Sequence, residues 1–383
     1  MVILGVFVPY YTKNRVLFTY MRAKHTERNM AVDGLKGIAI LIVLIHHFAL
    51  AYYPSMINAS SKLLHSKAQI EIFIFKTPLS IFVAGSFAVA LFYLITGYVL
   101  TKQIIAKYED KTYVPRAIYF RIFRLMPLIA VILLIGYVAM ISKLTFNVPA
   151  SVPATSNWFA SFFPLGKITL PTIITEIFTK IPFVVSAGYY NVLWIIPYIL
   201  FGSWLVYAFG YFFHESPLRF PMYAILLIAF YNTPYIAFLV GMALAENEEK
   251  IVLPQVVYYI FFVLSLIFGS STFSALGVQG LGLYANLIKV LSAACFFLAF
   301  TRIGWLKWIA QSKPFVYFGI NSYQYYLTHM LALIMLPTYV FLQMYPKYSY
   351  FYSVLTTFIL YWPMTVLYSE ILKAIEKLIY RKG

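Results

Sequence analysis

The chain has 383 residues, of which 62% are hydrophobic, 20% aromatic and only 11% charged. A soluble domain of this length cannot hide so much apolar side chain, so lipid must be its solvent. The net charge of +17 is spread over loops between apolar runs, which makes it a topology signal and excludes a nucleic-acid surface; the single cysteine, Cys295, excludes an internal disulfide and a cysteine metal site.

The chain begins with a short apolar run, VILGVFVPY. It lacks the basic lead and small-residue cleavage site of a signal peptide and is too short to span, so residues 1–30 are expected to form a cytoplasmic N-terminal segment. About ten apolar stretches follow, each of spanning or near-spanning length: 34–53, 79–104, 117–141, 189–212, 220–231, 233–245, 251–270, 282–301, 315–336 and 350–372. The fifth and sixth are either one tilted helix or two short ones broken at Asn232-Thr233-Pro234, a turn signal. Lys102, Lys107, Lys111, Arg116, Arg219, Lys250, Arg302, Lys307, Lys313, Lys373, Lys377, Arg381 and Lys382 fall on one side with the basic N-terminal segment, against fewer on the other (Lys62, Lys67, Lys76, Lys143, Lys167, Lys180, Lys347). The positive-inside rule then puts both termini in the cytoplasm. The expected fold is all-α, a polytopic membrane helix bundle forming a single domain over 1–383 with no appended soluble domain.

Three loop features bear on function. The outward loop 142–188 is rich in Pro, Thr, Ser and aromatics; it either handles a sugar or lipid-linked substrate or covers the headgroups. Asn58-Ala59-Ser60 is a glycosylation sequon. GVQGLG (277–282) has the wrong spacing for dinucleotide binding.

The first span, DGLKGIAILIVLIHHF (33–48), carries charge where charge is costly. On a helix, Lys36 and His47 are eleven steps apart, hence ~20° apart around the axis and ~16 Å along it. Asp33 falls on nearly the same face, and His46 is turned ~100° away. Such a stripe must line a protein interior or a water-filled cavity. It fits a buried, satisfied histidine with a snorkelling Lys36, a transporter's proton site, or a catalytic base taking a proton from a hydroxyl. Asp33, nearly four turns from His47, suits a helix N-cap or a partner for Lys36.

The third span opens with TYVPRAIYFRIFRLMPL (112–128). Arg121 and Arg124 share a face as an i, i+3 pair, with Arg116 just before them. Guanidinium pairs bind phosphate oxygens in a fork; anchoring to lipid headgroups is the simpler role for such arginines.

Four segments in order carry a family resemblance. DGLKGIA followed by His47, eleven residues after Lys36, resembles the first helix of the acyltransferase-3 family of integral membrane O-acyltransferases, which has D-x-L-R-G-x-A and then a histidine. LFYLITGYVLTKQI (91–104) resembles the family's Ser-Gly-Phe helix, with Thr96-Gly97-Tyr98 in its place. YFRIFRLMP (119–127) matches Arg-x-x-Arg with a following Pro, and FGINSYQYYLTHMLAL (318–333) resembles the late segment ending in a histidine, here His329. Two positions depart from the pattern: Lys36 replaces the commoner arginine, and NVLWIIPYILF (191–201) keeps Trp194 but lacks the glutamate of many bacterial members.

The resemblance implies O-acyl transfer, most often acetyl, from cytoplasmic acetyl-CoA or another acyl-CoA to a hydroxyl of an envelope glycan or glycolipid, in a bacterial inner membrane, with no metal. On that reading His47 and Asp33 are catalytic, Lys36, Arg116, Arg121 and Arg124 hold the CoA, and Thr96, Tyr98, Trp194 and His329 contact the acceptor. A continuous cavity should then open to the cytoplasm beside Arg121 and Arg124 and reach His47, with a second opening to the outer face lined by Thr96, Tyr98 and His329. The competing class is a secondary transporter or polysaccharide exporter with His47 as an intramembrane proton site; no pair of related halves with matched helix breaks supports it.

Overall fold

A computed structural model describes residues 29–163, 168–185, 188–272 and 284–381. VILGVFVPY, nearly all of the N-terminal segment, and the GVQGLG stretch lie outside them. Among the described residues all regular structure is helical.

Helix α1 (Met30–Tyr52) starts at Asn29, whose side-chain oxygen accepts hydrogen bonds from the N–H groups of Ala31 and Val32. Asn29 is therefore the N-cap. Asp33 sits in the first turn, where its charge suits the helix dipole. α2 is Gly85–Ala106, α3 is Tyr113–Ile141 and α4 is Ile196–Phe213, entered through a 3₁₀ turn at Asn191–Ile195. Then come α5 (Arg219–Ala229), α6 (Tyr235–Glu246), α7 (Gln255–Gly269) and α8 (Ala285–Arg302). Short α9 (Gly304–Ala310) and α10 (Lys313–Ile320) lead into α11 (Ser322–Ile334), α12 (Leu336–Met344) and the long α13 (Tyr350–Arg381).

Among the described residues, seven helical stretches are long and apolar enough to cross a membrane: α1, α2, α3, residues 191–213, α8, residues 322–344 and α13. α5, α6 and α7 are apolar but shorter. The protein is an integral membrane protein. The sixth apolar stretch is separate from the fifth: α5 stops at Ala229, and Pro234 precedes α6. Lipid-sized side chains such as Phe212, Phe220, Ile228 and Val256 are exposed on the outside of the bundle.

Close helix contacts rest on small residues, as expected where lipid offers helices no hydrophobic drive to associate. A methyl on Gly34 would run into the Ala310 carbonyl, one on Gly37 into that of Phe315, and one on Gly319 into that of Asp33. The first helix and the α9–α10 elbow thus meet backbone to backbone. Gly97 and Gly241 do the same for α2 and α6, against Phe238 and Leu94.

The segment after α3 turns back inward. Asn147 is fully buried, and its amide donates to the carbonyls of Phe159 and Phe162, both at 2.9 Å. Phe159, Phe162 and Phe163 are fully buried. The Ser156 hydroxyl donates to the Leu50 carbonyl of α1 at 2.6 Å. This part of the long loop is a piece of the core, not a cover lying on headgroups.

Candidate active site

The two histidines of α1 face a cavity of about 600 Å³. Val43, His46, His47 and Leu50 form its wall on α1, and Ser86, Val89, Ala90 and Tyr93 its wall on α2; both sets follow the i, i+3/i+4, i+7 spacing of one helix face. Trp158 comes from the inward segment, Trp194 from the turn before α4, and Tyr326 from α11. Ile57, Phe75, Ser271, Asn286 and Lys289 are among the other lining residues.

His47 is held on three sides. Its ring stacks on Trp158, with centroids 5.4 Å apart and planes 3° from parallel. It meets His46 edge-on at 5.1 Å. Its Nδ1 lies 2.8 Å from Nε2 of His329, which is fully buried on α11. His329 in turn places Nδ1 at 2.8 Å from the Tyr326 carbonyl oxygen.

This chain of contacts fixes the tautomers. A carbonyl only accepts, so His329 Nδ1 carries the hydrogen and, in a neutral ring, its Nε2 is an acceptor. His47 Nδ1 must then donate to it, which leaves the His47 Nε2 lone pair free. An orienting partner behind the base is the logic of the Ser-His-Asp triad, here with a neutral imidazole and a carbonyl in place of the carboxylate. His46 Nδ1 donates to the Val83 carbonyl at 2.7 Å; the Gly85 N–H, at 3.3 Å from the same nitrogen, is the weaker contact. A Cβ on Gly85 would collide with the His46 ring, so that glycine gives His46 its place.

The late segment ties the site together. Gly319 packs on the Asp33 carbonyl, the Tyr323 hydroxyl donates to the Leu125 carbonyl at 2.8 Å, and His329 meets His47. Over eleven residues it touches the start of α1, the arginine turn of α3 and the histidines. Tyr326 reaches Val192 with its hydroxyl, beside Trp194.

With that geometry in view, the sequence was compared with known families and proteins. The family model described as an acyltransferase domain, that of the acyltransferase-3 family, matches residues 29–370. The chain belongs to the acyltransferase-3 family. It is a membrane acyltransferase. No curated protein and no solved structure matches it.

Several expectations for this acyltransferase need correction. Asp33, expected to be catalytic, has no place at His47: fourteen residues of helix, ~21 Å, separate them, and Asp33 makes the expected pair with Lys36 at 3.1 Å, while Asn29 is the N-cap. The cavity is not lined by Lys36, Arg116, Arg121 or Arg124, because Leu35, Ala39, Ile40 and Leu44 of α1 are fully buried in packed core between the two levels. Thr96 and Tyr98 do not line it either: the Thr96 hydroxyl returns to its own helix at Phe92, and Tyr98 donates to Glu248 at 2.8 Å, where Lys102 also binds at 2.6 Å. His329 stands behind His47 and is absent from the cavity wall. Trp194 does line it.

Arg121 is half-buried and Arg124 exposed. Arg121 lies among Arg124, Tyr113, Tyr207 and Tyr323, and its Nε is buried without a hydrogen-bond partner among the described residues. An unpaired buried guanidinium N–H is rare and calls for an acceptor from elsewhere. Trp158 and Tyr93 are the site residues that sequence reasoning missed. Nothing in the spacing of loop 142–188 singles out Trp158; Tyr93 stood in plain view as a hydroxyl inside an apolar span.

Proposed function

We propose that this acyltransferase moves an acyl group, most simply acetyl, from cytoplasmic acyl-CoA to a hydroxyl of an extracytoplasmic glycan or glycolipid. The observation that carries the reading is the Tyr326 carbonyl–His329–His47 chain, which ends in a free Nε2 lone pair on the wall of an aromatic cavity. A group so placed takes the proton of an acceptor hydroxyl as that oxygen attacks the thioester carbonyl. The new C–O bond forms, the tetrahedral carbon expels the CoA thiolate, and the proton on His47 passes to the sulfur.

Arg121 and Arg124, with Arg116 and Lys36, are the groups for the CoA phosphates at the cytoplasmic mouth. The unpartnered Arg121 Nε supports this, and Asp33 holds Lys36 in place. Between that level and His47 the pantetheine arm must part the packed side chains of α1, a conformational step of the kind that gates many enzymes. Trp158 and Trp194 offer the acceptor flat apolar faces from the other end of the cavity. Both termini then lie in the cytoplasm, in a bacterial inner membrane.

The test is mass spectrometry of the host's surface glycans with the gene present, deleted, or carrying His47→Ala at equal expression. Acyl esters should be lost in both altered strains. Unchanged esters in the His47→Ala strain would overturn the assignment of the base, and unchanged esters in the deletion would overturn the glycan acceptor.

A further inference from the structure

Acyl transfer needs a donor as well as a base. The acyl carbonyl oxygen gains negative charge as the carbon becomes tetrahedral, and a preorganised hydrogen-bond donor at that point is commonly the largest single catalytic term. The cavity's imidazoles do not supply one. Nε2 of His47 is an acceptor by the tautomer argument, and Nε2 of His46 is likewise an acceptor, since its Nδ1 donates to Val83. The Tyr326 hydroxyl is spent on the Val192 carbonyl, and the Lys289 ammonium on the carbonyls of Phe268, Gly269 and Ser270.

Tyr93 is different. It lines the cavity, is 1% exposed, and its hydroxyl is buried with no hydrogen-bond partner among the described residues. Its ring is fixed by stacking on Phe238, with centroids 5.1 Å apart. Leaving a buried hydroxyl unpaired costs about 1–3 kcal/mol, so its retention in an apolar wall asks for a partner that comes and goes.

Its level in the fold says which substrate that partner belongs to. Gly85 at the start of α2 touches His46 near the end of α1, and α2 then runs back toward the Asp33 end. Tyr93, two turns further along α2, is on the Lys36 side of His47. Side chains on a helix tilt toward its N-terminus, and Tyr93 lines the same cavity as His46 and His47. The acyl thioester approaches from that side and the acceptor from the opposite one.

We propose that the Tyr93 hydroxyl donates a hydrogen bond to the acyl carbonyl oxygen while His47 deprotonates the acceptor, which makes Tyr93 a catalytic residue of the transfer. The proposal rests on the acyl-CoA reading above. The hydroxyl keeps its proton throughout: it binds the oxyanion as the C–O bond forms and releases the re-formed carbonyl when the C–S bond breaks.

The test is Tyr93→Phe, which removes one oxygen and keeps the ring. In purified protein, kcat should fall about 100- to 1,000-fold, with KM for acetyl-CoA little changed and thermal stability equal or higher. A second readout is independent of turnover: with carbonyl-¹³C-labelled acetyl-CoA bound to His47→Ala protein, the carbonyl infrared stretch should be lower than in the His47→Ala/Tyr93→Phe double variant. Wild-type kcat in Tyr93→Phe, or the same stretch in both backgrounds, would overturn the role of Tyr93 and leave the acyl-CoA reading intact. Wild-type protein that transfers no acyl group from acetyl-CoA would overturn both.

Discussion

The two ends of the first helix solve opposite problems. At the Asp33 end the ionisable groups are closed on each other: Lys36 pairs with Asp33, and Gly34 and Gly37 let the backbones of Ala310 and Phe315 press against the helix. At the histidine end the polar groups are arranged in series, from the Tyr326 carbonyl through His329 to His47, and the series stops at an open nitrogen. One end holds its charges in a local pair; the other leaves a lone pair unspent. A motif that reads as one stripe in the sequence is two devices about sixteen ångströms apart along the axis.

The sharpest test of that division is to remove the series. His47→Ala should lower acyl transfer by about 100- to 10,000-fold, the usual worth of a positioned base. His329→Ala should cost a large part of the same factor, because His47 loses the acceptor that fixes its tautomer. His46→Ala should cost less. Equal, mild losses at all three positions, measured at matched expression, would erase the distinction between the two ends.

Next in size is the donor side. Arg121→Ala and Arg124→Ala should each raise KM for acyl-CoA by roughly 10- to 150-fold, the equivalent of a lost charge-assisted bond of about 1.5–3 kcal/mol. Lysine should recover only part of this, since it lacks the fork. A titration of donor affinity that is flat across these variants would make the arginines helix anchors. At the closed end of α1 the loss should be structural instead. Gly37→Ala is expected to destabilise by about 1–3 kcal/mol through overpacking, read by thermal unfolding in detergent, with the surviving folded fraction keeping its KM.

The smallest effect concerns a carboxylate outside the membrane. Burial pushes the pKa of Glu71 up, but hydrogen bonds from the Ser66 hydroxyl and from backbone N–H groups, including those of His65 and Ser66, more than offset it and hold it below the ordinary carboxylate value. A depressed folded-state pKa contributes stability above the unfolded value that is lost as pH falls through the folded one. Glu71→Gln should therefore be less stable than wild type at neutral pH, and the gap should close in acid. A gap independent of pH would show that the charge is not what holds the 65–71 turn.

Much of this was legible beforehand. Apolar length alone found the seven long stretches among about ten expected, though the ninth, 315–336, ran α10 into α11 and stopped short of Met344, and the i, i+3 spacing of Asp33 and Lys36 anticipated their ion pair. Asn232-Thr233-Pro234 marked the break between α5 and α6 as one of two readings. What could not be read were contacts between distant segments. His329 was visible as a motif residue, but its place behind His47 depends on how α11 crosses α1. Trp158 belongs to a loop whose composition is equally that of a surface cover; its inward placement follows from buried Asn147 and the buried phenylalanines around it. Thr96 and Tyr98 show the converse, since motif position suggested substrate contact while their hydroxyls are satisfied within the bundle.

The pairing of His47 with His329 also has a consequence in time. The two residues are 282 positions apart. At a synthesis rate of roughly 5–20 residues per second, His329 follows His47 after roughly 14–56 s. Val83 reaches His46 and Trp158 reaches His47 sooner, but throughout that interval the His47 Nδ1 lacks its acceptor from α11, in the medium least tolerant of unpaired polar groups. The free nitrogen gains its fixed tautomer only when most of the chain has been made, so a nascent or truncated chain ending before α11 holds the base without the partner that makes it one.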